Sequence, residues 1–287
     1  MHKLIYRNSR GQEVILSNSR PFLLVNIDNY SNVSTNISTS DNTVDGLSIT
    51  NVSIKEKVLP VEGDIIGYSK EDLDRRRLEL SSIFNPKLDG ELIYQNNAFT
   101  RKVNCMIQDI SFNRNEGNSQ MFLVQFICPN PFWMDLYTKK EEVALWQGDL
   151  EFELELTEAG SEMGRRVSNL ICNVYNSGDV ECGMKIQFKA LATVVDPSLF
   201  NINSREFIKI NKTLERGDVL EVSTYFDNKR IDLIRSDGTK TNVFNWIDLD
   251  SEFLQLELGD NLFRYDAVSG IDNLEVAIYY NLLYMGV

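Results

Sequence analysis

Histidine is almost missing from this chain. One occurs in 287 residues, His2, beside the first methionine. That all but excludes Ser-His-Asp and Cys-His catalysis and His-based metal sites from the folded body of the protein. Cysteine is scarce too. The four, at 105, 128, 172 and 182, form no C-x-x-C pair and read as reduced thiols buried in strands, not as a disulfide framework or a metal site. Neither G-x-x-x-x-G-K-[ST] nor G-x-G-x-x-G occurs, so no phosphate-binding loop is announced. Long apolar runs are lacking. FLLV (22–25) falls far short of the roughly 20 residues of a membrane helix, so no membrane insertion is expected. The first residues, MHKLIYRNSRGQEV, turn polar at once and lack the apolar core of a signal peptide, which implies synthesis in the cytoplasm. Positive charge is the minority sign: 29 Lys and Arg against 42 Asp and Glu leave a net charge of −13. Such a surface repels phosphate backbones, which disfavours direct nucleic-acid binding.

What is present is mostly strand. The length fits one large domain or two of ordinary size, and 43% hydrophobic residues suffice for sizeable cores. LIYRNSRGQEVILS (4–17) reads as a hairpin turned at Ser9-Arg10-Gly11, and FLLVNIDNY (22–30) as a buried strand. The Ser/Thr/Asn-rich stretch 30–54 has enough β-branched residues for ordered, extended structure, solvated or packed against another chain. SKEDLDRRRLELSSIFNP (69–86) is the one strong helix. Ser69 caps it, Glu71 and Asp72 suit its positive end, Leu73, Leu80, Ile83 and Phe84 form its apolar stripe, and Pro86 stops it. Arg75, Arg76 and Arg77 lie mid-helix. They read either as a solvated face paired with Glu71 and Glu79, or as an intersubunit acid–base contact.

GELIYQNNAFTRKVNCMIQDISF (90–112) reads as two strands, NRNEGNSQ (113–120) as a turn, and MFLVQFIC (121–128) as a central strand apolar on both faces. CPNPFWMD (128–135) follows, with two of the chain's six prolines and then two large aromatics. Pro129 and Pro131 stop sheet pairing, and Phe132 and Trp133 plug the end of the first domain, which makes these four residues a domain junction. Docking of Trp133 to a neighbouring protein is the alternative. The charged passage 135–150 suits a linker, so domains of 1–136 and 137–287 are expected, with the boundary at about 134–146.

The second half is a run of short strands: EFELELTEAG (151–160), segments within 165–197, two around Arg216-Gly217-Asp218, a hairpin at Asp237-Gly238, FLQLELGDN (253–261) and LEVAIYYNLLYMGV (274–287). GMKIQFKA (183–190) alternates cleanly, with Met184, Ile186, Phe188 and Ala190 on one face. The pattern indicates an antiparallel sandwich. Trp146, Trp246, Tyr225 and Tyr265 are candidates for stacking on a sugar, with core or rim packing as the competing reading. Carboxylates are so numerous that some pairs fall together by chance, and no catalytic residue, cofactor or metal ligand stands out. DGTKTN (237–242) lacks the ligand spacing of a calcium loop and reads as a turn.

Several stretches resemble, in shared order, the distal tail proteins of long-tailed, non-contractile phages and prophages of Gram-positive bacteria. They are RRLELSSIFNPKLDGELIY (76–94), VNCMIQDISFNRNEGNSQMFLVQFICPNPFW (103–133), NSGDVECGMKIQFKA (176–190), EFIKINKTLERGDVLEVST (206–224), LDSEFLQLELGDNLFRYDA (249–267) and NLEVAIYY (273–280). The resemblance implies a mainly β protein of two domains. The first is sandwich- or split-barrel-like, with one helix and a projecting hairpin, and builds a ring. The second is a galectin-like antiparallel sandwich. It implies a non-enzymatic homohexameric ring at the virion tail tip, between the tail tube protein and the tail-associated hub protein, with a receptor-binding protein as a further partner. In that setting the 30–54 segment pairs with a neighbouring subunit, with Asn36 and Ser40, like Arg75, Arg76 and Arg77, as candidate interface residues. A cell-wall carbohydrate-binding module in the second domain is the alternative function.

Overall fold

A computed structural model of the chain describes residues 2–41, 46–113, 117–144, 146–147, 165–166 and 171–287. Strands dominate because the sequence alternates apolar and polar residues between short turns, and the chain divides into two compact units. One comprises Met1–Leu136 and Leu283–Val287, the other Tyr137–Leu282.

In the first unit, β1 (Lys3–Asn8) and β2 (Glu13–Leu16) form a hairpin whose turn contains Gly11 at φ 79°. That left-handed conformation suits a residue without Cβ. β3 (Phe22–Ile27) is followed by a separate two-stranded ribbon, β4 (Thr35–Asp41) and β5 (Leu47–Ile54). Then come β6 (Lys57–Ile66), α1 (Lys70–Ile83), β7 (Gly90–Gln95), β8 (Thr100–Phe112), β9 (Ser119–Cys128) and β10 (Trp133–Asp135). The sheet runs β2-β1-β7-β8-β9-β6-β3, antiparallel between these neighbours. Its two ends meet where Leu24 N–H donates to Ser17 O at 2.9 Å, so the sheet curls round on itself. Leu4, Tyr6, Leu59, Val61, Val103, Val124 and Phe126 fill the interior.

The helix closes this interior. Ser69 Oγ accepts from Asp72 N–H at 3.2 Å, satisfying one of the free N-terminal donors. Leu73, Leu80 and Ile83 are buried, and Phe84 packs against Tyr6, Phe122 and Phe126 with ring centroids 5.3 to 6.2 Å apart.

Two expectations fail here. β9 is covered on one face only: Phe122, Val124, Phe126 and Cys128 are buried, whereas Met121 is exposed and Leu123 and Ile127 are half-buried. A sheet that curls round has a single interior, so its outer face stays wet. β3 is not a buried strand. It ends the sheet path, its register shifts between Leu24 and Asn26, and Val25 is exposed. Conversely, Pro60 sits inside β6. Its carbonyl accepts from Asp28 N–H at 3.0 Å just past the end of β3, so its missing donor faces the end of that strand and spares the β9 ladder.

The second unit contains β11 (Lys139–Ala144), β12 (Trp146–Gln147), β13 (Arg165–Arg166), β14 (Ile171–Asn176), β15 (Met184–Ala190), β16 (Val194–Asn201), β17 (Phe207–Lys209), β18 (Thr213–Leu214), β19 (Val219–Ser223), β20 (Arg230–Ile234), β21 (Lys240–Asn242), β22 (Gly259–Ser269) and β23 (Leu274–Tyr280). One sheet is ordered β11-β23-β15-β19-β20-β21. The other is β14-β22-β16-β17 with β18 beside β16, and β12 pairs with β13. Their apolar faces make a sandwich core. Met184, Ile186, Phe188 and Ala190 are all buried, as the alternation of that strand requires, together with Val276, Ile278, Leu199, Phe263 and Tyr265.

Residues 139–144, expected within a linker, form the edge strand β11 on β23 and bury Val143. Its lysines and glutamates are what an edge strand carries to discourage foreign pairing. The strand expected over 253–261 is only partly there: residues 259–261 open β22, and 253–258 form no strand. Leu254 and Leu256 are buried at a period of two, yet only Leu256 finds a bridge, exchanging hydrogen bonds with Cys182 at 2.9 and 3.1 Å. The segment expected as a strand at 151–160 lies outside the described residues. The final strand, β24 (Leu283–Tyr284), belongs to the first unit, where it pairs antiparallel with β10 through Trp133–Tyr284 and Met134–Leu283.

Candidate functional site

The most distinctive surface of the first unit is the β4–β5 ribbon. Its register sets Thr35 opposite Ile54, Ile37 opposite Val52, Thr39 opposite Ile49 and Asp41 opposite Leu47. Between these pairs lie Asn36–Ser53, Ser38–Asn51 and Ser40–Ser48. Cross-strand partners share a face, and successive residues alternate. One face therefore carries Ile37, Leu47, Ile49, Val52 and Ile54, and the other only Asn and Ser. A register shift at Ser38/Thr39 admits the extra residue Thr50, whose Oγ1 donates to Ser38 O at 3.0 Å and keeps both halves in phase. Ile37, Leu47, Ile49 and Val52 are 56 to 64% exposed. Full burial of such side chains is worth about 1.5–3 kcal/mol each. A lone two-stranded ribbon is marginal in water, so this face gains by being covered. Asn36 and Ser40 lie on the polar face.

The arginines of α1 pair within their own helix. Arg75 is bonded to Asp72, Arg76 reaches Glu79 at 3.2 Å and Asp72 at 3.6 Å, and Arg77 reaches Asp74 at 3.1 Å. Glu71, expected as a partner, instead bonds Ser69 and its own backbone N–H, which holds its carboxyl below the usual range. Asp72 is lowered likewise by the Tyr68 N–H and by Arg75. These arginines are exposed or half-buried.

The CPNPFWMD stretch is graded in burial. Pro129 is exposed, Pro131 and Phe132 are half-buried, and Trp133 is 1% exposed. The Trp133 indole N–H donates to Tyr30 O at 2.9 Å, and Tyr94 meets its ring edge-on at 6.4 Å. So enclosed, Trp133 has no face to offer a neighbour. Pro131 and Phe132 wall a groove of about 270 Å³ at the foot of the ribbon, with Val33, Ile54, Val58 and Met285.

Among the described residues, the three candidates for stacking on a sugar are engaged elsewhere. Tyr265 is buried in the sandwich, Tyr225 donates to Tyr279 O, and Trp246 lies under the Lys212 ammonium at 5.0 Å. The side chain of Trp146 lies outside the described residues. Among the described residues, no three His, Cys, Asp or Glu side chains gather as a metal site. Burial pushes the Cys128 and Cys182 thiols up to about 12 and Cys105 higher still, so none of the three is poised as a nucleophile.

Two features escaped sequence reasoning. The apolar ribbon face is present as Leu47, Ile49, Val52 and Ile54, but the extra Thr50 breaks the alternation by one residue. The return of the last residues to the first unit has no local signal.

Two domain families cover these units. Residues 9–128 match the phage tail protein RIFT-related domain, and residues 177–284 match the siphovirus-type tail component, C-terminal domain. The chain is therefore a structural component of a phage tail. The two domains in this order make it a member of the distal tail protein family of siphophages. In fold it resembles the crystal structure of SPP1 Dit (gp 19.1), which is described as a paradigm of the hub adsorption apparatus in phages infecting Gram-positive bacteria. The TM-score is 0.71 at 14% identity, over 99% of both chains. It also resembles chains of the phage P2 baseplate in its activated conformation, with Ca (TM-score 0.59) and with Sr (0.58), each at 11% identity over 100% of both chains. No curated protein matches the chain in sequence.

Proposed function

We propose that this protein forms a homohexameric ring at the tail tip of the virion, joining the tail tube protein to the tail-associated hub protein, and that it has no enzymatic activity. The carrying observation is the amphipathic β4–β5 ribbon: a fully polar face backed by Ile37, Leu47, Ile49 and Val52, all left exposed. A heterologous contact repeated around a closed ring covers such a face on every subunit and leaves no free copy. It also removes the ribbon's open strand edges. Membership of the distal tail protein family, and the hub and baseplate context named for the SPP1 and P2 chains, support the tail-tip placement. The second unit stands ready to carry a receptor-binding protein in this arrangement, and CPNPFWMD, with Pro129, Pro131, Phe132 and Trp133, acts as the domain junction.

Native mass spectrometry and negative-stain microscopy of the purified chain test the reading. Six-subunit rings are expected, and addition of the tail-associated protein should shift any smaller species toward them. A strictly monomeric chain at all concentrations, with and without that protein, overturns it. Changing Ile37 and Val52 together to Asp should shift rings to monomers while leaving the melting of the second unit unchanged.

A further inference from the structure

The final five residues are held in an unusual way. Main-chain oxygens of three successive residues each receive a side-chain donor from a different element. Lys57 Nζ, at the start of β6, donates to Met285 O at 2.8 Å. Arg101 Nη1, on β8, donates to Gly286 O at 2.5 Å. Ser31 Oγ, in the loop after β3, donates to Val287 O at 2.6 Å. Just upstream, β24 adds to β10 as a strand. The Arg101 guanidinium lies 3.5 Å from the centroid of the Tyr284 ring and 4.6 Å from that of Phe99.

Of the receiving groups Lys57 is built in, whereas Arg101 is half-buried and Ser31 exposed. Lys57 is only 5% exposed, with its ammonium 5.9 Å from the Trp133 ring, and Trp133 is itself buried and bonded to Tyr30 O. Residues 283–287 are half-buried or exposed, with Tyr284 and Val287 laid against the edge of the first unit's core. Contacts to carbonyls read the path of a backbone, not its side chains. Side-chain selectivity falls on three positions, with Val287 packed against the core as the first. An aromatic residue at 284 stacks under Arg101. Glycine is favoured at 286, where a Cβ would lie 3.2 Å from the Cα and Cβ of Ser31. This is recognition by strand addition with fixed cationic donors.

We propose that Ser31, Lys57, Arg101 and β10 form a strand-acceptor site, a peptide-binding site in its own right, whose ligand is the 283–287 segment: in the isolated chain its own, and when that segment leaves, the same segment of a second copy. A short tether gives the resident segment an effective concentration in the millimolar range, so it occupies the site until it is displaced. Strand exchange of this kind links copies without any new surface, since the contacts made between chains are those already made within one.

The test uses the full chain and a fluorescein-labelled peptide of residues 281–287. Fluorescence anisotropy should show at least tenfold weaker binding to the unaltered chain than to two vacated forms, the Gly286→Val chain and a chain ended after Leu282. Adding Arg101→Ala to either vacated form should weaken binding at least tenfold. A peptide carrying Val in place of its glycine should bind more weakly than the unaltered peptide. The proposal is overturned if the vacated chains keep the cooperative melting of the first unit yet fail to bind the peptide. It is equally overturned if both vacated chains lose the fold of the first unit, because residues 283–287 would then be core and not ligand.

Discussion

Tyr6 shows how one side chain in the first unit sets a measurable property. Its ring packs between Phe84 and Phe126 at 5.3 Å from each, while its hydroxyl is buried without a protein hydrogen-bond partner among the described residues. The ring lies so close to Gly90 that a Cβ there would sit 2.6 Å from Cε2. Burial, with the nearby Cys105 and Asp89, pushes the phenol from 10.0 up to about 12. A raised acid favours its protonated form in the fold. The associated stability is fully present below pH 10 and is lost as pH rises through 12. Tyr6→Phe should therefore be neutral or stabilising by about 1 kcal/mol at pH 7, because it removes an unpaired buried hydroxyl. It should also remove a share of the alkaline loss on the order of 2 kcal/mol. Urea unfolding of both proteins from pH 7 to 12 checks this. A Phe variant that is less stable at pH 7 and shows an unchanged alkaline slope would count against the orphan hydroxyl.

Elements differ in how much of them a sequence can show. The helix was legible because its signals are local: Ser69 as cap, Asp72 at the third position, and an apolar stripe that the structure buries as Leu73, Leu80, Ile83 and Phe84. Ser69→Ala should cost about 1 kcal/mol and lower the melting temperature of the first unit without changing that of the second, which differential scanning calorimetry can resolve. The strand β15 was legible for the same reason, since its period of two is unbroken. Where a strand's role depends on a distant neighbour, the residues do not say. The period-two pattern at Leu254 and Leu256 exists without a ladder, and charged Lys139–Ala144 is a strand because β23 has an open side to receive it. The ribbon falls between these cases. Its extended conformation was readable from its β-branched residues, but its amphipathic faces became visible only with the register that places Thr50 as the extra residue. That register sets Asn36 and Ser40 on the polar face, opposite Ser53 and Ser48. Asn36→Asp should then leave the oligomeric state unchanged under conditions where Ile37→Asp lowers it, as sedimentation velocity would show.

Across the whole chain, the two units are connected in a way that sequence order disguises. The first unit sends the chain out after β10 and takes it back at β24, and these two strands are antiparallel neighbours paired through Trp133–Tyr284 and Met134–Leu283. Topologically, the entire Tyr137–Leu282 unit is an insertion into a hairpin. A reading by continuity ends the second unit at residue 287, because nothing in LLYMGV distinguishes its last five residues from a strand of the sandwich. Their assignment rests on Ser31, Lys57 and Arg101, up to 256 positions away. Insertions of this kind are removable when their ends are adjacent. Replacing Tyr137–Leu282 by Asn-Gly leaves Asp135, Leu136, Asn and Gly between the paired Met134 and Leu283, a four-residue loop of a length that closes hairpins. The resulting protein should be monomeric or ring-forming like the parent, with one cooperative melting transition and the near-ultraviolet signal of a buried Trp133. The same excision without residues 283–287 leaves Lys57 and Arg101 facing solvent in place of the Met285 and Gly286 carbonyls, and should melt lower or bind the 281–287 peptide. If the excised protein with its tail is unfolded while the full chain is not, the first unit depends on the second for its fold, and the insertion reading fails.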